Sequence, residues 1–251
     1  MEKALLQTRD IKKSFGHVRA LRGVELSAYR GEILAIVGDN GAGKSTFIKI
    51  LAGSIRPDQG SIVVDGQAHS YFTPREAIAA GISTVYQDLA LANTRNVSAN
   101  IFLGQELTSM GFLRKKAMEK DARALVDRLG IDIPDLSAPV GVLSGGQRQG
   151  TAVARLMHQG GKLFIFDEPT AAMGLKETGA VLKLIKKLAS EGYGVILISH
   201  DLPQVFQISD RIAVFRQGKA VALMKTADCT MDQVIGLITG TEPPQEGGKR
   251  Q

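Results

Sequence analysis

Nine consecutive residues, Gly38-Asp39-Asn40-Gly41-Ala42-Gly43-Lys44-Ser45-Thr46, have the types and spacing needed to hold a polyphosphate. They fit G-x-x-x-x-G-K-[ST]. Glycines let the backbone wrap close around phosphate oxygens, so that several N–H groups point inward. A helix starting at the end of the loop adds the partial positive charge of its N-terminus. Lys44 is placed to reach the β- and γ-phosphates, and the Ser45 hydroxyl to ligate Mg²⁺. A second group, Leu163-Phe164-Ile165-Phe166-Asp167-Glu168, runs four apolar residues into two carboxylates. Asp167 suits an outer contact to Mg²⁺ through water. Glu168, one residue on and so facing differently, suits a base that orients or deprotonates an attacking water. Asp-Glu-Pro would also serve as a plain strand exit or helix cap.

Leu143-Ser144-Gly145-Gly146-Gln147 is the third group. Ser144 can cap the helix that follows, and two glycines leave backbone N–H groups bare at its start. That makes a second anion-binding helix terminus. Taken alone, it reads equally as an ordinary cap.

These groups act only if regular elements bring their ends together. Glu32-Ile33-Leu34-Ala35-Ile36-Val37 is nearly all apolar, the pattern of a strand buried on both faces of a parallel sheet, and it feeds directly into the glycine-rich loop. Ser45 to Ala52 predicts the helix beyond the loop, stopped by Gly53. Residues 1–30 alternate short apolar stretches with glycine turns and predict β-structure. Further strands are expected at 61–66, 82–86, 163–166, 195–198, 212–215 and 220–223. Helices are expected at 117–129, from Gly145 or Gly146 to Met157, and at 177–189. Strand, helix, strand in this rhythm implies a parallel sheet with right-handed crossovers, hence an α/β fold. The two carboxylates then lie at the C-terminal end of a core strand, where such sheets bind ligands.

Composition narrows the field. The chain has 251 residues, a formal charge of +6, and 44% hydrophobic residues, ample for a large buried core. Its basic residues are spread along the sequence, and it has no Trp and few aromatics, which argues against a nucleic-acid partner. Cys229 is the only cysteine, so an internal disulfide framework is excluded and a reducing compartment expected. No apolar stretch approaches the ~18 to 20 residues of a membrane span, and Met1 to Gln7 do not look like a signal peptide.

In this order along the chain, the loop of Lys44, Leu143 to Gln147 and Leu163 to Glu168 resemble the nucleotide-binding subunit of ABC transporters. The resemblance spans about residues 5–235. It implies that residues 38–46 hold ATP and that Phe15, upstream of the loop, stacks on adenine. Gln87, in Val85-Tyr86-Gln87-Asp88, would contact Mg²⁺ and the attacking water and link the site to a membrane partner. His200, in Ile198-Ser199-His200-Asp201, would contact the γ-phosphate. Ser45, Gln87 and Asp167 become the Mg²⁺ contacts, and Glu168, Gln87 and His200 the catalytic group. Ser144, with Gly145, Gly146 and Gln147, would serve the ATP of a second copy in a head-to-tail dimer.

The implied fold is a P-loop NTPase core with a parallel sheet, an N-terminal antiparallel β-subdomain and an inserted α-helical subdomain. One ABC ATPase domain is expected over 1–251. Residues 1–87 and 161–240 would form the core with the β-subdomain, 88–160 the helical subdomain, and 242–251 a flexible tail. One departure stands out. Where most members have an aliphatic residue and aspartate after Glu-Pro-Thr-Ala-Ala, this chain has Met173-Gly174. That variant, with Asn100-Ile101-Phe102-Leu103-Gly104, is similar to the branch importing monosaccharides such as ribose, xylose or fructose. The resemblance thus implies an ATP-hydrolysing subunit on the cytoplasmic side of the cell membrane. It would be bound to integral permease subunits and served indirectly by a periplasmic or extracellular sugar-binding protein. A soluble ABC-type ATPase of cofactor assembly and an exporter subunit are the alternatives.

Overall fold

The computed structural model describes residues 3–171 and 173–242; from residue 243 on, the expected tail lies outside the described residues. The chain opens with a hairpin of β1 (Leu6–Phe15) and β2 (Val18–Ala28), turned at Gly16. Then come β3 (Ile33–Gly38) and α1 (Lys44–Leu51), on either side of the glycine-rich loop. A second hairpin of β4 (Gln59–Val64) and β5 (Gln67–His69) leads through α2 (Pro74–Ala79) to β6 (Ile82–Val85). A mainly helical stretch follows. It holds α3 (Val97–Ile101), a small hairpin of β7 (Thr108–Ser109) and β8 (Phe112–Leu113), α4 (Lys115–Arg128) and α5 (Gly145–His158). The remainder alternates β9 (Leu163–Asp167), α6 (Leu175–Ser190), β10 (Gly194–Ile198), α7 (Leu202–Ile208) and β11 (Arg211–Arg216). It closes with β12 (Lys219–Lys225) and α8 (Met231–Thr239).

The expected strands and helices are present, with some boundaries shifted. Gly174 caps α6 in an extended conformation, so that helix starts at Leu175, two residues before the apolar spacing suggests. The sheets have the predicted character. Strands β2-β1-β4-β5 form an antiparallel sheet, and β12-β11-β3-β10-β9-β6 a second one, parallel except for β12.

Alternation along the strands divides the interior. In β3, Leu34 and Ile36 pack with Leu6, Ile11, Phe47 and Ile62 between the two sheets, whereas Ala35 and Val37 pack with Val205, Val234 and Leu237. In β9, Leu163 and Ile165 join the first of these groups. Phe164 and Phe166 face the other way, among Phe102, Met118, Val126 and Val153 of the helical stretch. Each of the larger of these side chains contributes about 1.5 to 3 kcal/mol by leaving water, so β3 and β9 are both anchored on two faces. Among the described residues, no helix is long and apolar enough to cross a membrane.

The strand order positions the chemistry. Strand β10 lies between β3 and β9, and β6 flanks β9. At about 4.8 Å per strand, the loop after β3 and the carboxylates ending β9 stand roughly 10 Å apart. The segment after β10 rises between them, and the segment after β6 lies beside the carboxylates.

Candidate functional site

The glycine-rich loop is shaped by contacts that admit no side chain at two positions. Gly38 has φ 148°, and a Cβ there would overlap the Phe215 carbonyl oxygen. Gly43 has φ 103°, and its Cβ would lie 2.7 Å from the Ala20 carbonyl oxygen. Strands β2 and β11 thus press the loop into its turn. Lys44 is buried at the start of α1, and its ammonium donates to the carbonyls of Gly38 and Asp39 at 2.5 and 2.9 Å. Burial lowers its pKa, opposed by the charges of Glu168, Asp39 and Asp167. Ser45 is exposed and Thr46 half-buried.

A cleft of about 110 Å³ joins this loop to the carboxylates: Asp39, Asn40, Gly41, Gly43, Lys44, Ser45 and Thr46 face Asp167, Glu168 and Ile198 across it. Burial is the main cause that raises the Asp167 pKa, and Glu168 adds to it, while Lys44 and Lys49 pull the other way. Glu168 leaves β9 with φ 50°, a left-handed conformation that is costly outside glycine and recurs at functional sites. The turn is held because the Glu168 N–H donates to the Ile198 carbonyl at 3.0 Å. The Glu168 carboxylate Oε1 meets His200 Nδ1 at 3.2 Å. His200 itself is largely exposed just beyond β10.

Gln87 lies exposed beyond β6, in a neighbouring cavity of about 210 Å³ that it shares with Glu168, Gly145 and Gln149. The structure therefore brings Lys44, Asp167, Glu168, His200 and Gln87 to one rim of the parallel sheet. Phe15 and Ser144 stand in neither cavity. Phe15 ends β1 half-exposed, with Lys13 Nζ 5.5 Å from its ring centre. Ser144 caps α5 in a reciprocal box: its hydroxyl accepts from the Gln147 N–H at 3.3 Å, and Gln147 Oε1 accepts from the Ser144 N–H at 3.0 Å. Here one expectation is corrected. The N–H groups of this turn are not all bare, because Gly145 donates to Glu177 Oε1 at 2.9 Å.

Four residues at or beside the site were not foreseen. Arg155 donates to the carbonyls of Leu89 and Ala90, both at 2.9 Å, and holds the segment after Gln87 against α5. Arg148 Nε and Gln149 Nε2 are buried without a hydrogen-bond partner among the described residues, and both side chains border the cavity of Gln87 and Glu168. Glu177 is the fourth. Its one sequence signal is an acid in the first turn of a helix whose cap, Gly174, has no side chain.

The cleft suits a nucleotide with a divalent cation. Burial and the neighbouring Glu168 make the charge of Asp167 costly, and a cation would relieve that cost. Among the described residues, no three His, Cys, Asp or Glu side chains gather to hold a metal, so such an ion would take phosphate and water as further ligands.

A model of the ABC transporter family matches residues 21–171. The fructose import ATP-binding protein of Rhizobium meliloti is 43% identical, with 98% of each chain covered. The xylose/arabinose import ATP-binding protein of Sulfolobus acidocaldarius is also 43% identical, with 94% of each covered. A ribose import ATP-binding protein of Yersinia pestis is 39% identical, over 94% of this chain and 46% of its own. Among solved structures, a nucleotide-free ATP-binding cassette from an ABC transporter superposes with a TM-score of 0.79 at 23% identity, covering 94% of this chain and 98% of that one.

Proposed function

The chain belongs to the ABC transporter family, and from that membership we propose that it is the ATP-hydrolysing subunit of a monosaccharide importer. The observation that carries the reaction is the single cleft in which Lys44, Asp167 and Glu168 face one another, with His200 on Glu168. Lys44 would exchange its two loop carbonyls for β- and γ-phosphate oxygens. Water would attack the γ-phosphorus as Glu168 accepts its proton; the new O–P bond forms, the bond to the β-phosphate oxygen breaks, and ADP and phosphate leave. His200 would steady Glu168 and contact the γ-phosphate. Mg²⁺, held by Ser45, by Asp167 through water and by Gln87, would neutralise charge building on the phosphate oxygens.

Ser144 stands in neither cavity of its own chain, and on this reading Ser144, Gly145, Gly146 and Gln147 would meet the ATP of a second copy. In the proposed head-to-tail pair, each copy's turn closes the other's cleft and excludes water. Phe15 would stack on adenine. The segment from Gln87 to Gly104 would meet integral permease subunits at the cytoplasmic face of the membrane. The fructose and xylose/arabinose relatives support a sugar as cargo, delivered to the permease by a periplasmic or extracellular binding protein.

Glu168→Gln tests the core of this reading. It should keep ATP binding, lower turnover by on the order of a hundredfold or more, and accumulate a nucleotide-bound dimer on size-exclusion chromatography. Full hydrolysis by this variant would remove Glu168 from its role. Uptake assays with the co-purifying permease and a panel of monosaccharides test the cargo, and transport of none of them would discard the sugar assignment.

A further inference from the structure

We propose that Glu177 is a positioning residue for hydrolysis, a tie that carries movement of the turn beginning at Glu168 to the Ser144 turn on α5. This rests on the reading above, in which Ser144 completes the site of a second copy. Three other helices show what an acid or amide at the third helical position normally does. In α2, α5 and α8, Glu76, Gln147 and Gln233 fold back onto the N–H of their own cap residues, Thr73, Ser144 and Thr230. In α6 the cap is Gly174, which offers no side chain, and Glu177 reaches out of its helix. Its Oε1 accepts the Gly145 N–H at 2.9 Å, across 32 positions of sequence.

The approach is close. A Cβ on Gly145 would come 3.3 Å from Glu177 Oε2, and one on Gly146 3.4 Å from the Ala180 Cβ. Gly145 thus leaves room for the Glu177 carboxylate at the Ser144 turn, and α6 lies in van der Waals reach of Gly146. At this same N-terminal end, α6 is joined to the Glu168 turn by a short linker, braced where Ala171 N–H donates to the Glu168 carbonyl and Met173 N–H to that of Thr170, both at 3.2 Å. A hydrogen bond to a charged acceptor is strong enough to move these parts together. Gly174 offers no side chain at this cap, and Glu177 supplies a carboxylate three residues on.

The test compares Glu177→Ala with Glu177→Gln in the full chain, since the glutamine amide oxygen can still accept from Gly145. Glu177→Ala should bind ATP with the parent's affinity, yet lose at least about tenfold in kcat and pair less readily with ATP. Glu177→Gln should recover to within about threefold of the parent. A folded Glu177→Ala with the parent's kcat would overturn the proposal, as would a folded Glu177→Gln as slow as the alanine variant. Amide exchange at Gly145, read in the unpaired chain, separates the two readings. A parent that never pairs with ATP sinks the role of Ser144, whereas unchanged Gly145 exchange in Glu177→Ala sinks the tie itself.

Discussion

Two adjacent carboxylates at the mouth of one cleft repel each other, and partial burial makes the repulsion costlier. The pKa of Asp167 is raised, first by burial and then by Glu168. A carboxyl group with a raised folded-state pKa stabilises the fold while protonated, and this contribution is lost as pH rises through that value. At neutral pH the ionised Asp167 therefore opposes folding of the nucleotide-free chain. Asp167→Asn should melt higher than the parent at neutral pH, by less than about 1 kcal/mol because solvent screens a half-open site. The gain should fade in acid, where the parent's carboxyl is protonated too, and Mg²⁺-dependent hydrolysis should be lost. Melting curves at the two pH values decide it: a variant less stable than the parent at neutral pH would refute the repulsion argument. Glu168, in its left-handed turn, meets His200 Nδ1 through Oε1 at 3.2 Å.

At the scale of elements, the fork of Arg155 is what ties α5 to the segment after Gln87. Two N–H groups meet two successive carbonyls, a geometry that a lysine ammonium cannot reproduce. Arg155→Lys should cost about 1 to 2 kcal/mol of stability and speed amide exchange over residues 88–92. Turnover should fall more than ATP affinity, because the loop of Lys44 is untouched; unaltered exchange over 88–92 would show that something else holds that segment. Strands β3 and β9 could be read directly from sequence because burial on both faces leaves an unbroken apolar run. Their placement on either side of β10 could not, since it depends on pairings such as Val195 with Ile33 and Gly194 with Leu163, set by contacts far apart in the chain. The loop of Lys44 was legible because its glycines, lysine and serine stand consecutively in the chain, whatever distant backbone presses on them. The Glu177 contact was not, because it joins segments that only the packing of α6 on α5 brings together. Helix α8 went unread although Thr230 and Gln233 spell a capping box, a signal present and unused.

For the whole molecule, the proposed arrangement divides each active site between two copies, and that division can be tested without a membrane. Lys44→Ala removes the phosphate contact of its own cleft, while Ser144→Arg blocks the cleft of the opposite copy. Pairs of like subunits are then defective at both sites. In a mixed pair, one site combines both defects, and the other joins an unaltered Lys44 to an unaltered Ser144. Random mixing makes about half the pairs mixed, each with one sound site of two, so ATPase activity should rise to at most about a quarter of the parent's. Each variant assayed alone should stay near background. If the two clefts must fire together, recovery drops below that ceiling but nucleotide trapping in mixed pairs persists, since ATP still favours the closed arrangement over the open one. Absence of both recovery and trapping at every mixing ratio would mean that each chain completes its own site. Ser144 would then be only the cap of α5.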